Sequence, residues 1–417
     1  MMKYRERITD KELHRKLYSS GAVLIKGAKA CGKTESAKQL SQSILQVDRD
    51  DQVDALMNSA PKRLLMGDTP RLIDEWQVQP KLWDHIRHEI DDRQENAQFI
   101  LTGSANPEET VKMHSGAGRF TIVEMRTMSW QELGFSSGKI RLSDLFEGRK
   151  IDIFDQPTDL DFIVEQIIAG GFPSILNKNT SQAADLNRAY IEFLAEVDMS
   201  RVSNVKRDPV KVRSLLRSLA RNTSTLADIS SLEKDIGAKE NRGITRPTVY
   251  DYLDALSRLM ILEDQPAWNT HIRSSYALRK APKRHFTDVS LAVAALGADK
   301  TSLLNDVKFT GFLFESLATH DLRVYAQAID ANVYHYRDAS GLEIDCIVQK
   351  YNGDWCAFEI KLGTGQTDEA ARNLNRLVSI LDTHIKPPKS LNIITGTGIS
   401  YTRSDGINVI SLASLGA

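Results

Sequence analysis

The chain is 417 residues long, with 26% charged residues, 41% hydrophobic residues and a formal net charge of −1. That length allows two or three separate cores, the composition is that of a soluble globular protein, and near-neutrality excludes any global attraction to nucleic acid, which leaves only local patches for such binding. No apolar run approaches the roughly 20 residues a bilayer crossing needs, the N-terminus lacks a signal-peptide-like segment, and Cys31, Cys346 and Cys356 have neither zinc-site nor disulfide-framework spacing, so a cytoplasmic protein without membrane partners is expected.

Residues 1–20 are charged and read as a lead-in helix. The apolar run Ala22-Val23-Leu24-Ile25 then enters Gly27-Ala28-Lys29-Ala30-Cys31-Gly32-Lys33-Thr34, a P-loop. A strand passing through a Gly-rich turn into a helix leaves backbone N–H groups free to surround phosphates. Gly27 and Gly32 shape that turn, Lys33 reaches the β- and γ-phosphates of ATP, and Thr34 holds Mg²⁺. The following helix is expected over Glu35 to Ser43, with Ala37, Leu40 and Ile44 at helical spacing, and a short strand at Leu45-Gln46-Val47.

Leu72-Ile73-Asp74-Glu75 is a short apolar strand ending in two carboxylates. Alone, such a pair is a common solvated strand end; some forty residues after a P-loop it is the expected partner. Asp74 joins the Mg²⁺ shell and Glu75 orients the attacking water, because phosphoryl transfer needs positioning and charge neutralisation. A helix over Lys81 to Ile90 leads to a strand at Gln98 to Leu101. Thr102 and Ser104, at its end, are candidates to bond the water or the γ-phosphate, as sensor 1 does in AAA+ ATPases. Arg119, in a glycine-containing loop before the strand Thr121 to Met125, is placed to act as an arginine finger toward a neighbouring subunit of a homo-oligomer.

These pieces, together with Gln77, Gly118-Arg119 and Met128-Ser129-Trp130-Gln131-Glu132-Leu133-Gly134, resemble the bacterial and archaeal AAA+ ATPases that carry a C-terminal domain of unknown function. The resemblance covers nearly the whole chain and implies an ATPase. Residues 134–159 read as an insertion or linker, and the helix Phe162 to Ala169, stopped by Gly170-Gly171, resembles the start of that family's helical lid. Another amphipathic helix spans Ala183 to Val197.

Between Arg201 and Arg221 seven residues are basic and one, Asp208, is acidic. Val212, Leu215, Leu216 and Leu219 share one helical face, and Arg213, Arg217 and Arg221 stripe the opposite one, expected to be exposed. Helices at Leu226 to Ile236 and at Arg246 to Met260, the latter capped by Thr245, complete a winged helix-turn-helix with Arg246, Thr248 and Tyr250 at the start of its recognition helix. Asp251 and Asp254 argue against tight docking. Arg273, Arg279, Lys280, Lys283 and Arg284 form a basic run read as the wing and its exit, and DNA is the expected partner.

In the last third, Phe312 to Leu317 is a helix carrying Glu315. Leu342, Ile344, Cys346 and Val348 alternate as the buried side of a strand, with Glu343 and Asp345 on its other face, and Ala357 to Lys361 brings Glu359 and Lys361 out together. This looks like the restriction-endonuclease-like core, an Asp followed by Glu-x-Lys. Asp345, Glu359 and Glu315 are candidate ligands for Mg²⁺ or Mn²⁺, while Lys361 neutralises the attacked phosphate. A helix over Asp368 to Leu381 is expected on the sheet, closed by strands Leu391 to Ile394 and Val409-Ile410.

The expected fold class is α/β: an AAA+ P-loop NTPase core over 1–160, a helical lid or linker over 161–208, a winged helix-turn-helix over 209–285 and a restriction-endonuclease-like domain over 286–417. The expected function is an ATPase that binds DNA and cuts it with its C-terminal domain. The rivals are a nucleotide-switched DNA-binding regulator and an interaction scaffold, both with an inactive nuclease-like domain.

Overall fold

The computed structural model describes residues 4–103, 116–153, 157–202, 206–237, 245–269, 281–382 and 384–417. Its N-terminal part begins with helix α1 (Thr9–Ser19) and strand β1 (Ala22–Lys26), whose apolar residues are buried on both sides. Continuous rather than alternating burial is the mark of a parallel strand covered on two faces. The P-loop follows, then α2 (Lys33–Lys38), β2 (Ser43–Gln46), α3 (Val53–Ser59), β3 (Arg71–Asp74), α4 (Leu82–Arg93), β4 (Phe99–Gly103) and β5 (Phe120–Glu124). The five strands are all parallel, in the order β2-β3-β4-β1-β5. Helix α2 stops well short of the expected Ser43. Ile44, expected on its apolar face, instead lies exposed in β2.

Residues 134–153, expected as an insertion or linker, are built into the fold. After α5 (Trp130–Leu133), opened by a Ser129/Glu132 capping box, β6 (Ile140–Arg141), α6 (Leu142–Phe146) and β7 (Asp152–Ile153) are laid against the C-terminal end of the chain. β6 pairs with the last strand, and β7 completes the C-terminal sheet. The reason is apolar: Trp130, Ile140, Leu142 and Leu145 are buried in one core with Leu317, Phe358, Ile394 and Leu415.

The middle is helical. Helix α7 (Leu160–Ala169) is capped by Asp159, and α8 (Thr180–Phe193) by the Asn179/Gln182 box; a π turn leads to α9 (Met199–Arg201). Helices α10 (Pro209–Arg221), α11 (Ile229–Gly237) and α12 (Arg246–Arg258) follow, then an antiparallel ribbon of β8 (Leu262–Gln265) and β9 (Lys283–Phe286). Pro209 occupies the first helical position of α10 and Asp208 accepts the Val210 N–H at 3.0 Å. Thr245 does not cap α12 through its side chain; its hydroxyl meets that of Thr248 at 2.9 Å.

The C-terminal part carries α13 (Val289–Leu296), α14 (Lys300–Asn305) and α15 (Val307–Ala328). Strands β10 (Ala331–Arg337), β11 (Glu343–Lys350) and β12 (Trp355–Lys361) precede α16 (Thr367–Ile380), and β13 (Leu391–Thr395), β14 (Ser400–Thr402), β15 (Asn408–Ser411) and β16 (Leu415–Gly416) close the chain. The seven-stranded mixed sheet runs β10-β11-β12-β13-β15-β14-β7. Leu317 and Phe314 of α15 pack on one face with Cys346, Val348 and Phe358, while Leu374 and Leu377 of α16 cover the other with Ile344, Ile347 and Ala357.

Both faces of β11 are therefore buried, and its residues do not alternate as expected. Tyr334 pairs with Ile347 but Tyr336 with Ile344, so one residue of β10 opposes two of β11. This bulge re-phases the strand between Ile344 and Cys346. Ile344 belongs to the α16 side and Cys346 to the α15 side.

Candidate functional site

All five N-terminal strands are parallel, so their carboxyl ends share one edge, the edge where ligands bind in such sheets. Ile25 of β1 and Asp74 of β3 both lie level with Thr102 of β4. The P-loop leaves β1 at that edge. Gly27 admits no side chain, since a Cβ would fall 2.2 Å from the Met125 carbonyl oxygen, and Gly32 has φ +109°. Lys33 is buried, and its Nζ donates to the carbonyl oxygens of Gly27 and Ala28 at 2.9 Å each. An ammonium thus sits inside the curl of the loop.

The Thr34 hydroxyl donates to Asp74 Oδ1 at 2.7 Å, and the Thr102 hydroxyl donates to the same oxygen at 2.5 Å. Three of the residues expected at this site therefore meet on one buried carboxylate. The Thr34 and Asp74 oxygens stand side by side beside the loop, an all-oxygen donor pair of the kind Mg²⁺ takes with nucleotide phosphates and water. Glu75, directly after β3, takes the left-handed conformation at φ +55°, which costs a non-glycine residue about 1–2 kcal/mol and turns it away from the strand direction. The Gln77 side-chain amide donates to its carboxylate. Ser104 lies outside the described residues.

Arg119 is at the other end of the sheet. Its carbonyl accepts from the Ala22 N–H at the start of β1, and its guanidinium donates to Asp91 Oδ1 at 2.6 Å. That ion pair holds the Asp91 carboxyl below its usual range. Arg119 therefore lies at the edge of the sheet opposite its own P-loop.

Sequence reasoning missed the N-terminal clamp. Buried Arg7 donates to the Cys31 carbonyl in the P-loop at 2.9 Å, to the Arg126 carbonyl at 2.8 Å and to Glu132 Oε1 at 3.0 Å. One guanidinium thereby ties the phosphate loop to the segment leaving β5. Arg126 in turn chelates Glu263 of β8 and donates to Gln327 of α15 at 2.7 Å. No local signal marks these contacts, because each of the partners just named is more than twenty positions away.

In the C-terminal part, pairing of β11 with β12 ends at Cys346 and Phe358. Beyond that point the Asp345 carboxylate receives the Ile360 N–H at 2.8 Å. Glu315, Asp345, Glu359 and Lys361, the four expected residues, do come together: Lys361 Nζ lies 2.6 Å from Glu359 and 3.5 Å from Asp345. The sequence did not reveal Lys283. Read as part of a solvated wing, it is instead buried among Glu315 at 2.8 Å, Glu343 at 2.7 Å and Asp345 at 3.3 Å. Burial, with the Asp345 charge, pushes Glu315 up to about 7 and Glu359 up to about 8, against the pull of Lys283 and Lys361 respectively. Burial also acts on Asp345, yet Lys361, Lys283 and the Ile360 N–H hold it below the usual carboxylate range. Of the expected metal set, Glu315 Oε1, Asp345 Oδ1 and Glu359 Oε2 each receive a lysine ammonium, and among the described residues no group of three or more His, Cys, Asp or Glu is arranged to hold a metal ion.

The arginine stripe on α10 is exposed at Arg217 and Arg221 and half-buried at Arg213, and each of the three has a partner within the chain. Arg213 is paired with Glu192 at 2.8 Å and with Glu196, Arg217 donates to the Leu296 carbonyl at 3.3 Å, and Arg221 lies 3.9 Å from Asp235. Asp251 is held by Arg207, and Arg284 donates to the Ala227 carbonyl at 2.8 Å; Arg273, Arg279 and Lys280 lie outside the described residues.

Residues 19–134 match a family model described as an AAA domain; residues 161–302 match a domain of unknown function (DUF8612) and residues 310–415 another (DUF4143). The uncharacterized proteins Mb2031c of Mycobacterium bovis and Rv2008c of Mycobacterium tuberculosis are each 25% identical over 359 residues, covering 84% of this chain and 72% of theirs. A solved structure, the Walker-type ATPase PABY2304 of Pyrococcus abyssi, is similar at a TM-score of 0.43 and 12% identity, over 69% of this chain and 94% of that one. The N-terminal part is an AAA-type P-loop domain, and its match supports ATP binding and hydrolysis there. No helix among the described residues is long and apolar enough to cross a membrane.

Proposed function

We propose that this chain hydrolyses ATP at its P-loop and passes the nucleotide state to its C-terminal domain through α15. The observation that carries the reading is the Asp74 carboxylate, which accepts the hydroxyls of both Thr34 and Thr102 at the edge where the P-loop leaves the sheet. Lys33 supplies positive charge to the phosphates. Thr34 and Asp74 would hold Mg²⁺, which neutralises charge on the transferring phosphoryl group. Thr102 fixes the direction of Asp74, and Glu75 orients the attacking water, itself oriented by Gln77. Arg119 is the residue a homo-oligomer would offer to the adjoining site. The route outward is the chain of contacts from Arg7 on the loop to Arg126, then to Glu263 and Gln327.

The test is hydrolysis by the wild type and Lys33→Ala. Loss of a preorganised charge at the phosphates should lower kcat by about 100-fold or more; equal rates would sink the proposal. DNA as partner is a second reading, favoured by the first turn of α12, where Arg246 and Tyr250 are exposed with the guanidinium 6.0 Å from the ring centroid. It requires an affinity that falls with salt and is weakened by Arg246→Glu.

A further inference from the structure

We infer that Lys283 is the resident cation of the C-terminal carboxylate cluster, and that its ammonium closes the cluster to divalent metal ions. Its side chain is 1% exposed, and its Nζ contacts three carboxylates, from α15 and from two positions of β11. The backbone of Lys283 is fixed by the β8–β9 ribbon, where it pairs with Gln265. Of the six oxygens on Glu315, Asp345 and Glu359, five already have a donor. Glu315 Oε1 and Asp345 Oδ1 receive Lys283, Asp345 Oδ2 receives the Ile360 N–H, Glu359 Oε2 receives Lys361, and Glu359 Oε1 has Asn373 at 3.4 Å.

A metal ion binds carboxylate oxygens at about 2.0–2.1 Å for Mg²⁺, with near-octahedral demands. The centre between Glu315 and Asp345 is taken by a nitrogen at hydrogen-bonding distance from both. To admit the ion, Lys283 would have to leave a site where its charge is compensated on three sides, and no other buried carboxylate is within its contacts to receive it. The arrangement keeps the residue types of a metal-dependent nuclease centre, while an internal lysine supplies the cation. The cluster then serves to pin α15, β9, β11 and β12 to one another, which is what an output domain driven through α15 requires. The inference does not depend on the nucleotide site.

Mn²⁺ binding to the full-length, nucleotide-free chain tests it, read by electron paramagnetic resonance of the free ion. All variants carry Asp74→Asn so that the P-loop contributes nothing. The Asp74→Asn chain should show no Mn²⁺ uptake that Glu315→Gln abolishes. Lys283→Met, which keeps the length and removes the charge, should gain one Mn²⁺ with affinity at least about tenfold above the parent's, and lose it again with Glu315→Gln. Uptake by the parent that Glu315→Gln removes would overturn the inference, as would a folded Lys283→Met chain that gains none. Should Lys283→Met fail to fold without metal, restoration of its unfolding transition by Mn²⁺ supports the inference; failure in both conditions leaves the parent and Glu315→Gln comparison to decide.

Discussion

Glu263→Gln is the sharpest test of how the nucleotide-binding part is fastened to the rest. The Glu263 carboxylate receives Arg126 at 3.1 and 3.0 Å through one nitrogen and at 2.5 Å through another, and Arg323 stands 3.5 Å away. The side chains of Arg126, Glu263 and Arg323 are 12%, 27% and 6% exposed. Removing one partner of a buried pair costs about 3–5 kcal/mol, and partial hydration of the carboxylate argues for the lower end, about 3 kcal/mol. At roughly 2 °C per kcal/mol for a large domain, the melting temperature should fall by about 6 °C. The sign with pH follows from the charges. Burial raises the Glu263 pKa, but Arg126 and Arg323 outweigh it and hold the group below its ordinary value. A depressed carboxylate stabilises the fold above its unfolded pKa of about 4.3, and that contribution is lost as the pH falls toward the folded value. Thermal unfolding should therefore show the full deficit from pH 5.5 to 8 and a shrinking one below about pH 4. A variant melting with the wild type at pH 7, or a deficit that widens on acidification, would refute the reasoning.

Gly103→Ala should slow hydrolysis without weakening nucleotide binding, because its Cβ would lie 2.6 Å from Gln77 Oε1 and 3.1 Å from Trp76 Nε1. Displacing Gln77 disorients Glu75, so kcat should fall by about tenfold or more with the nucleotide Kd changed less than about twofold; an unchanged kcat would remove Gln77 from its positioning role. A fragment beginning at residue 161 should aggregate, whereas one beginning at residue 126 should give a folded monomer by circular dichroism and gel filtration. The first lacks the buried side chains of Trp130, Ile140, Leu142 and Leu145, each contributing about 2 kcal/mol, and leaves β14 and β16 without their partners β7 and β6. That loss of about 8 kcal/mol equals a typical net stability. Equal stability of the two fragments would show that residues 126–160 are dispensable.

The P-loop and Asp74 were legible because their chemistry is local: eight consecutive residues define the loop, and a strand ending in carboxylates is a short pattern. Glu315, Asp345, Glu359 and Lys361 were legible as a set because an Asp followed by Glu-x-Lys is a short pattern in the sequence. What failed was the phase of β11. A bulge depends on how β10 pairs with it, and no periodicity in one strand reports an extra residue. Lys283 was misplaced for a related reason. In sequence it neighbours other basic residues, which suggests a solvated run, and only the fold of β9 against α15 and β11 shows it surrounded by carboxylates. The arginines of α10 have the spacing of an exposed stripe; their partners Glu192, Glu196 and Asp235 come from other helices.

The division of the chain that matters for mechanism lies near residue 126. Up to Met125 the buried apolar residues pack among themselves around the five-stranded sheet. From Trp130 onward they divide between a large core that runs to Leu415 and a second core beneath α16. The seam is stitched by residues within one short segment: Arg126 to Glu263 and Gln327, the Thr127 hydroxyl 3.1 Å from His320, and the Trp130 N–H donating to Asp321 at 3.0 Å. Gln327, His320 and Asp321 all belong to α15, as does Glu315, and a 22-residue helix is a rod of about 33 Å. Arg7 fastens the P-loop to the first residue of this seam. Displacement of the loop relative to the large core would strain these contacts on α15, together with the direct ones from Lys29 of the loop to Tyr190 of α8 and to Asp198. The same rod ends its influence at Lys283 and the carboxylates, where the charge pairs hold it to β9 and β11. Coupling of this kind becomes measurable as non-additivity: Arg7→Ala and Glu263→Gln should each lower the ATP-induced shift in melting temperature, and the double variant should lower it no further than the worse single one. Additive losses would mean that the two residues act on separate equilibria, and that the seam fastens the two parts without carrying a signal between them.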